Sequence, residues 1–106
     1  MLLIPVSDVP NQTLSVVLDG QYCVISLLWR QVRLYLTLWV GNRLICQGQI
    51  CQNRANILQS PALDFSGSLH FFDRLGDQAP AFPGLNSRYF LLFVPVGESL
   101  PESLEF

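Results

Sequence analysis

Apolar and polar residues alternate along most of this chain with a period of two, the pattern of strands with one buried face. Arg33–Val40 shows it best: Leu34, Leu36, Leu38 and Val40 fall on one side, and Arg33, Tyr35, Thr37 and Trp39 on the other. Residues 12–18 place Leu14, Val16 and Leu18 opposite Thr13 and Ser15. Asp19-Gly20 comes next, and Asp-Gly between alternating runs predicts a type I′ hairpin, whose central residues both need positive φ. The return strand, residues 21–29, is apolar on both sides (Cys23, Ile25, Leu27 and Trp29 against Tyr22, Val24 and Leu28), so it is predicted to be central. Residues 30–32 read as a short polar link. Gly41-Asn42 is expected to be a type II′ turn, with Gly at the first central position. It leads into residues 43–51, with Leu44, Cys46 and Ile50 inward and Arg43, Gln47 and Gln49 outward. Gly48 in mid-strand predicts a bulge or a close backbone approach. These hairpins make a meander of about four strands.

The pattern breaks over residues 52–61, where Asn53, Arg54, Asn56, Gln59, Ser60 and Pro61 indicate a loop or short turns. It resumes at Ser68–Asp73, with Leu69 and Phe71 on one face and His70 and Phe72 on the other. Residues 74–87 form a long loop rich in Gly, Pro, Asp and Asn, a length that usually carries a task. Residues 88–96 hold Tyr89-Phe90-Leu91-Leu92-Phe93-Val94, apolar on both faces and so predicted to be a buried central strand that Pro95 ends. Residues 97–106, with three glutamates and Pro101, are expected to be a tail that stays mobile until a partner orders it. The expectation is one β domain over residues 1–96 plus that tail. No repeat and no long helical pattern is present. The predicted fold is all-β: a small antiparallel β-sandwich or partly open barrel built on consecutive hairpins.

Composition adds a reason to look for partners. Half the residues are apolar and 13% are charged, against roughly 25% in ordinary globular chains. Such a surface has little polar cover, which favours burial against other chains. All six cations are arginine, the side chain better suited to interfaces than lysine. They are scattered, with no basic stripe, which argues against direct nucleic-acid binding. Three cysteines (Cys23, Cys46, Cys51) are an odd count, lacking zinc-knuckle spacing, and read as reduced thiols from a cytoplasm. Met1 to Val6 has no basic n-region and no cleavage site, so no signal peptide is expected. No apolar run nears the ~20 residues of a membrane span.

Candidate chemistry is sparse. His70, the single histidine, sits among Leu69, Phe71 and Phe72 and reads as a hydrogen-bonded structural residue. No Gly-x-Ser-x-Gly elbow presents a serine, and no glycine-rich loop is built for phosphate. Asp64, Asp73 and Asp77 could cluster for glycoside hydrolysis or Ca²⁺, but their spacing fits turn and cap duties better. The expectation is a protein that is not an enzyme and has no cofactor or metal. What remains is a recognition surface. Trp29, Tyr35 and Trp39 lie on or near the expected outer faces, where they suit protein contacts or a sugar-stacking platform. In the long loop, Phe82, Pro83 and Leu85 read as an apolar anchor for a neighbour or a lid over the chain's own core. Arg88 reads as a contact residue or as a clamp on the loop through Asp73 or Asp77.

Several segments together resemble the small baseplate plug proteins of contractile-tailed bacteriophages. They are Ile4-Pro5-Val6 with Pro10-Asn11-Gln12-Thr13-Leu14-Ser15-Val16, then Arg33-Leu34-Tyr35-Leu36-Thr37-Leu38, then Ile50-Cys51-Gln52-Asn53-Arg54. Most specific is Phe65-Ser66-Gly67-Ser68-Leu69-His70-Phe71-Phe72-Asp73, followed by Gly76-Asp77 and Gly84-Leu85-Asn86-Ser87-Arg88-Tyr89-Phe90-Leu91-Leu92. The order and spacing are shared up to about Val94. The chain departs at Gln78-Ala79-Pro80-Ala81-Phe82, where the family tends to have Asp-Pro and a tyrosine, and at Asn86, where it usually has glycine. Asn tolerates φ > 0, so that turn is expected to survive. The resemblance implies a structural virion protein of the tail baseplate, assembled in the host cytoplasm. It implies a plug or bridge between the distal tail tube and the hub and spike, in several copies, with a trimer matching a spike's symmetry. The residues alone leave a carbohydrate-binding β-sandwich as the alternative.

Overall fold

The computed structural model describes residues 1–58 and 65–102. Gln59, Ser60 and Pro61 of the expected loop, Asp64, and residues 103–106 of the tail lie outside the described residues. Among the described residues there are seven strands and no helix: β1 (Leu2–Ile4), β2 (Asn11–Leu18), β3 (Gln21–Arg30), β4 (Arg33–Val40), β5 (Arg43–Ile50), β6 (Ser68–Asp73) and β7 (Tyr89–Val94). They form two antiparallel sheets, ordered β2-β3-β4-β5 and β1-β7-β6, and the two do not close into a barrel. The sandwich is therefore the architecture adopted.

The core lies where the alternation places it. Leu18, Cys23, Ile25, Leu27, Leu34, Leu36 and Leu38 from the larger sheet meet Ile4, Leu69, Phe71, Leu91 and Phe93 from the smaller one in a single buried cluster. The meander has the expected limits, and β3 is interior to its sheet. Asp19 and Gly20 both have positive φ (52° and 75°), as a type I′ turn requires. At the Gly41-Asn42 turn only Gly41 is positive (57°), as in type II′.

Two expectations fail. Residues 30–32 are not a link but part of a third tight hairpin: Arg30 pairs with Arg33, and Gln31 and Val32 make the turn with φ of 51° and 55°. The other failure concerns β5. Between the pairs Leu36↔Gln49 and Leu38↔Cys46, β5 takes three steps against two. Between Leu38↔Cys46 and Trp39↔Leu44 it takes two against one. Each extra residue is a bulge that reverses the facing of the residues beyond it. Leu44 and Ile50, expected inward, therefore share the outer face with Trp39 and Tyr35. Gln49, expected outward, lies beside Leu36, and Ile45 packs with Cys46 against the core. Gly48, with φ of 59°, marks the first of these bulges as expected.

In the smaller sheet β7 is buried along its whole length. Its inner side chains join the main core, while Phe90 and Leu92 meet Phe72 on the opposite face, where Leu3 and Leu100 pack over them. The Arg54 guanidinium lies 4.3 Å from the centre of the Phe72 ring. Arg54 also donates to the Pro101 and Glu102 carbonyls, and the N-terminal amine pairs with Glu98. The free edge of β6 is covered by the segment after β5. There Arg54 N donates to Phe71 O and Ile57 N to Leu69 O, while Asn53 Oδ1 accepts from Asp73 N.

Candidate interaction surface

The long loop after β6 is held by a buried carboxylate. Asp73 ends β6 and Arg88 precedes β7, so antiparallel pairing brings them together across the loop's neck. Arg88 Nε donates to Asp73 Oδ1 at 2.8 Å and Nη2 to Oδ2 at 2.9 Å. The amides of Leu75 and Gln78 donate to the same two oxygens, both at 2.9 Å. The paired hydrogen bonds from Arg88 hold the Asp73 carboxyl well below the usual carboxylate range; burial pushes the other way, and the two amides add to the lowering. Asp8 anchors the far end of the loop, accepting from Gly84 N (2.9 Å) and Leu85 N (3.1 Å). Asn86 takes the positive φ (59°) expected of it.

These contacts sort the sequence candidates. Arg88 is the internal clamp, through Asp73 and not Asp77, which is exposed. Leu85 is 1% exposed and belongs to the core, so within this chain it is a lid residue. Phe82 is half-buried in the same loop. Trp29 pairs with Leu34 and packs against the core, so it lies on the inner face and not the outer one. The three aromatics therefore do not form one platform. Tyr35 and Trp39 do share the outer face of the larger sheet, and Trp39 is 39% exposed.

That outer face carries the remaining apolar surface. The register lines up Val24, Trp39 and Leu44 as one band, continued by Val17 and Tyr22. Leu28, Tyr35 and Ile50 make a second band. Between them runs a row of hydroxyls, Thr13, Ser26 and Thr37; Thr13 Oγ1 and Ser26 Oγ are 2.9 Å apart, and Thr37 Oγ1 accepts from Gly48 N. Val17, Tyr22, Leu28, Trp39 and Leu44 are all exposed. An antiparallel sheet with one solvated face normally shows water a polar row at these positions. A hollow of about 300 Å³ opens at one end of the face, lined by Leu28, Arg30, Gln31, Tyr35 and Gly48. Another of about 550 Å³ lies at the other end, beside Tyr22 and the Gly41-Asn42 turn. Tyr22, Leu28, Leu44 and Ile50 escaped the sequence reading because the bands run across strands and require the register.

The other candidate chemistry is accounted for by structure. His70 Nδ1 donates to Arg54 O at 2.6 Å, tying β6 to the segment after β5, and its Nε2 meets Ser68 Oγ of the same strand at 2.7 Å. Burial raises all three cysteine thiols above their ordinary value, most strongly Cys51, and so disfavours the thiolate. Among the described residues, no group of His, Cys, Asp and Glu is placed to hold a metal ion. Among them, too, no helix is long and apolar enough to cross a membrane.

A family described as the cyanophage baseplate plug gp18 of Pam3 has a model that matches residues 1–96. The chain belongs to this family. A search of curated proteins finds no match. Plug-family membership makes the chain a baseplate plug protein of a phage tail, a component that associates with other baseplate proteins. The match spans every strand of the described residues together with the Asp73–Arg88 clamp.

Proposed function

We propose that this chain is a structural, non-enzymatic plug that closes or bridges the distal tail tube above the hub and spike, in several copies around the tail axis. Three copies would match a spike's symmetry. The observation that carries the reading, beyond the family, is the outer face of the β2-β3-β4-β5 sheet: two apolar bands with no cover from the described residues of this chain. An exposed apolar face of this kind, holding a tryptophan and two tyrosines, fits a protein interface. Tyr35, Trp39 and Phe82 are the contact residues of this proposal, and Leu85 and Arg88 act behind them by fixing the loop. The polar half-row of Thr13, Ser26 and Thr37 fits an interface that also makes hydrogen bonds.

The test is assembly. In a phage lacking its own copy of this gene, the wild-type chain supplied in trans should be recovered in purified tails. Trp39→Glu should fold, with a melting temperature within a few degrees of wild type because the site is on the surface, yet be missing from tails. A Trp39→Glu chain that enters tails as efficiently as wild type removes the outer face from the proposal.

A further inference from the structure

We propose that the β3–β4 end of the outer face binds an acidic segment of a partner polypeptide, with a carboxylate set between Arg30 and Arg33 and an apolar side chain against Leu28 and Tyr35. The inference rests on the assembly reading and names the chemistry of one partner. Arg30 and Arg33 lie directly opposite each other at the last pair of the hairpin. Like charges facing across a sheet oppose folding, and no acidic side chain pairs with either among the described residues. The turn between them is also built against local preference. Gln31 and Val32 both have positive φ, though neither is Gly, Asn or Asp, and Val32 is β-branched and 78% exposed. All four consecutive residues thus break a local rule with no compensating ion pair among the described residues, a pattern characteristic of functional sites.

Charge distribution says what the missing partner is. Residues 11–50, which make the larger sheet, hold three arginines and one aspartate, whereas the rest of the chain holds three arginines and seven acids. A chain that is negative overall therefore presents a positive sheet, with its closest pair of cations at this end. The adjoining hollow, with Leu28 and Tyr35 beside Arg30, offers an apolar seat next to the cationic rim. Guanidinium groups recognise carboxylates by paired hydrogen bonds, and the apolar seat selects a polypeptide side chain over a sugar–phosphate backbone.

The test titrates the full ¹⁵N-labelled chain with the blocked peptide acetyl-Glu-Glu-Phe-Glu-Leu-amide and tracks amide shifts by NMR. Saturable shifts confined to Leu28, Arg30 to Arg33, Tyr35 and Gly48 are expected. Affinity should fall at least tenfold in Arg30→Gln/Arg33→Gln, and a peptide with Lys for Glu should not bind. The double variant should keep its spectrum and melt no lower than wild type, because the like-charge pair is gone; a merely structural role would lower the melting point. Shifts spread over both sheets, equal binding by the lysine peptide, or unchanged affinity in the double variant would overturn the proposal. So would equal binding of a single-stranded oligonucleotide at these amides. A free chain that is dimeric by light scattering and becomes monomeric on Arg30→Gln/Arg33→Gln would assign the site to a second copy and overturn it too. If the peptide fails to bind while the chain still enters tails, this inference falls and the assembly reading stands; a chain absent from tails sinks that reading instead.

Discussion

Asp73 is the residue on which the shape of the long loop depends. Its carboxylate is fully buried and takes four hydrogen bonds, two from Arg88 and two from loop amides. Because its folded pKa lies below the unfolded value of about 3.9, its stabilisation is present above that value and is lost as pH falls through the folded pKa. The melting temperature of the wild type should therefore drop between about pH 5 and pH 2, and Asp73→Asn should flatten that slope. At pH 7 the variant should melt on the order of 5–10 °C lower, since it loses the charge-assisted pair. An acid slope identical in both proteins would show that the clamp does not control it. Gly67 is the second residue with no freedom. Its φ is 103°, and a Cβ there would fall 2.5 Å from the Phe93 ring and 2.9 Å from the Val94 carbonyl oxygen. Gly67→Ala should cost about 2–3 kcal/mol, from backbone strain together with overpacking, read as a lower midpoint in urea unfolding.

At the scale of elements, the hairpin turns divide into two that favour folding and one that does not. Asp19-Gly20 and Gly41-Asn42 supply residues suited to their φ, whereas Gln31-Val32 does not. Gln31→Asn/Val32→Gly should stabilise the fold by about 1–2 kcal/mol, through relief of the positive-φ strain, and calorimetry would show it as a higher melting point. A lower melting point would mean that the Val32 side chain stabilises the free chain. The same turn shows what the sequence could and could not reveal. Strands β4 and β6 were legible from their alternation, and β3 and β7 from apolar runs whose ends carry glycine, proline or charged residues. The Gln31-Val32 turn was hidden because it has no turn residue, and β1 because three residues cannot display a period. The facing of β5 was only half legible: Gly48 announces one bulge, but the second, near Ile45, has no local signature and turns Leu44 outward. For the candidate surface, Tyr35 and Trp39 could be read from one strand's alternation. The inward place of Trp29 is not legible, because β3 is apolar on both sides and nothing local says which side is the core. For Leu85 the sequence allows anchor and lid alike, and only the packing shows that it is buried in this chain's own core.

The whole molecule is a sandwich with unequal outer faces. The smaller sheet's outer face is covered by the chain itself, with Leu100 and Arg54 over Phe72, Phe90 and Leu92. The larger sheet's outer face keeps Val17, Tyr22, Leu28, Trp39 and Leu44 open. One outer face is thus covered within the chain and the other keeps its apolar side chains open, which fits the proposed role in a larger particle. Membership in the baseplate plug family supplies the particle, and the outer face is the place of contact we propose within it. The most direct measurement is hydroxyl-radical footprinting of the chain alone and in purified tails, read residue by residue by mass spectrometry. Strong protection of Trp39, Tyr22 and Leu28 is predicted in tails, with Leu75 and Val96, which lie away from this face, reacting nearly as in the free chain. Equal labelling of Trp39, Tyr22 and Leu28 in the two states would contradict a role for this face in assembly.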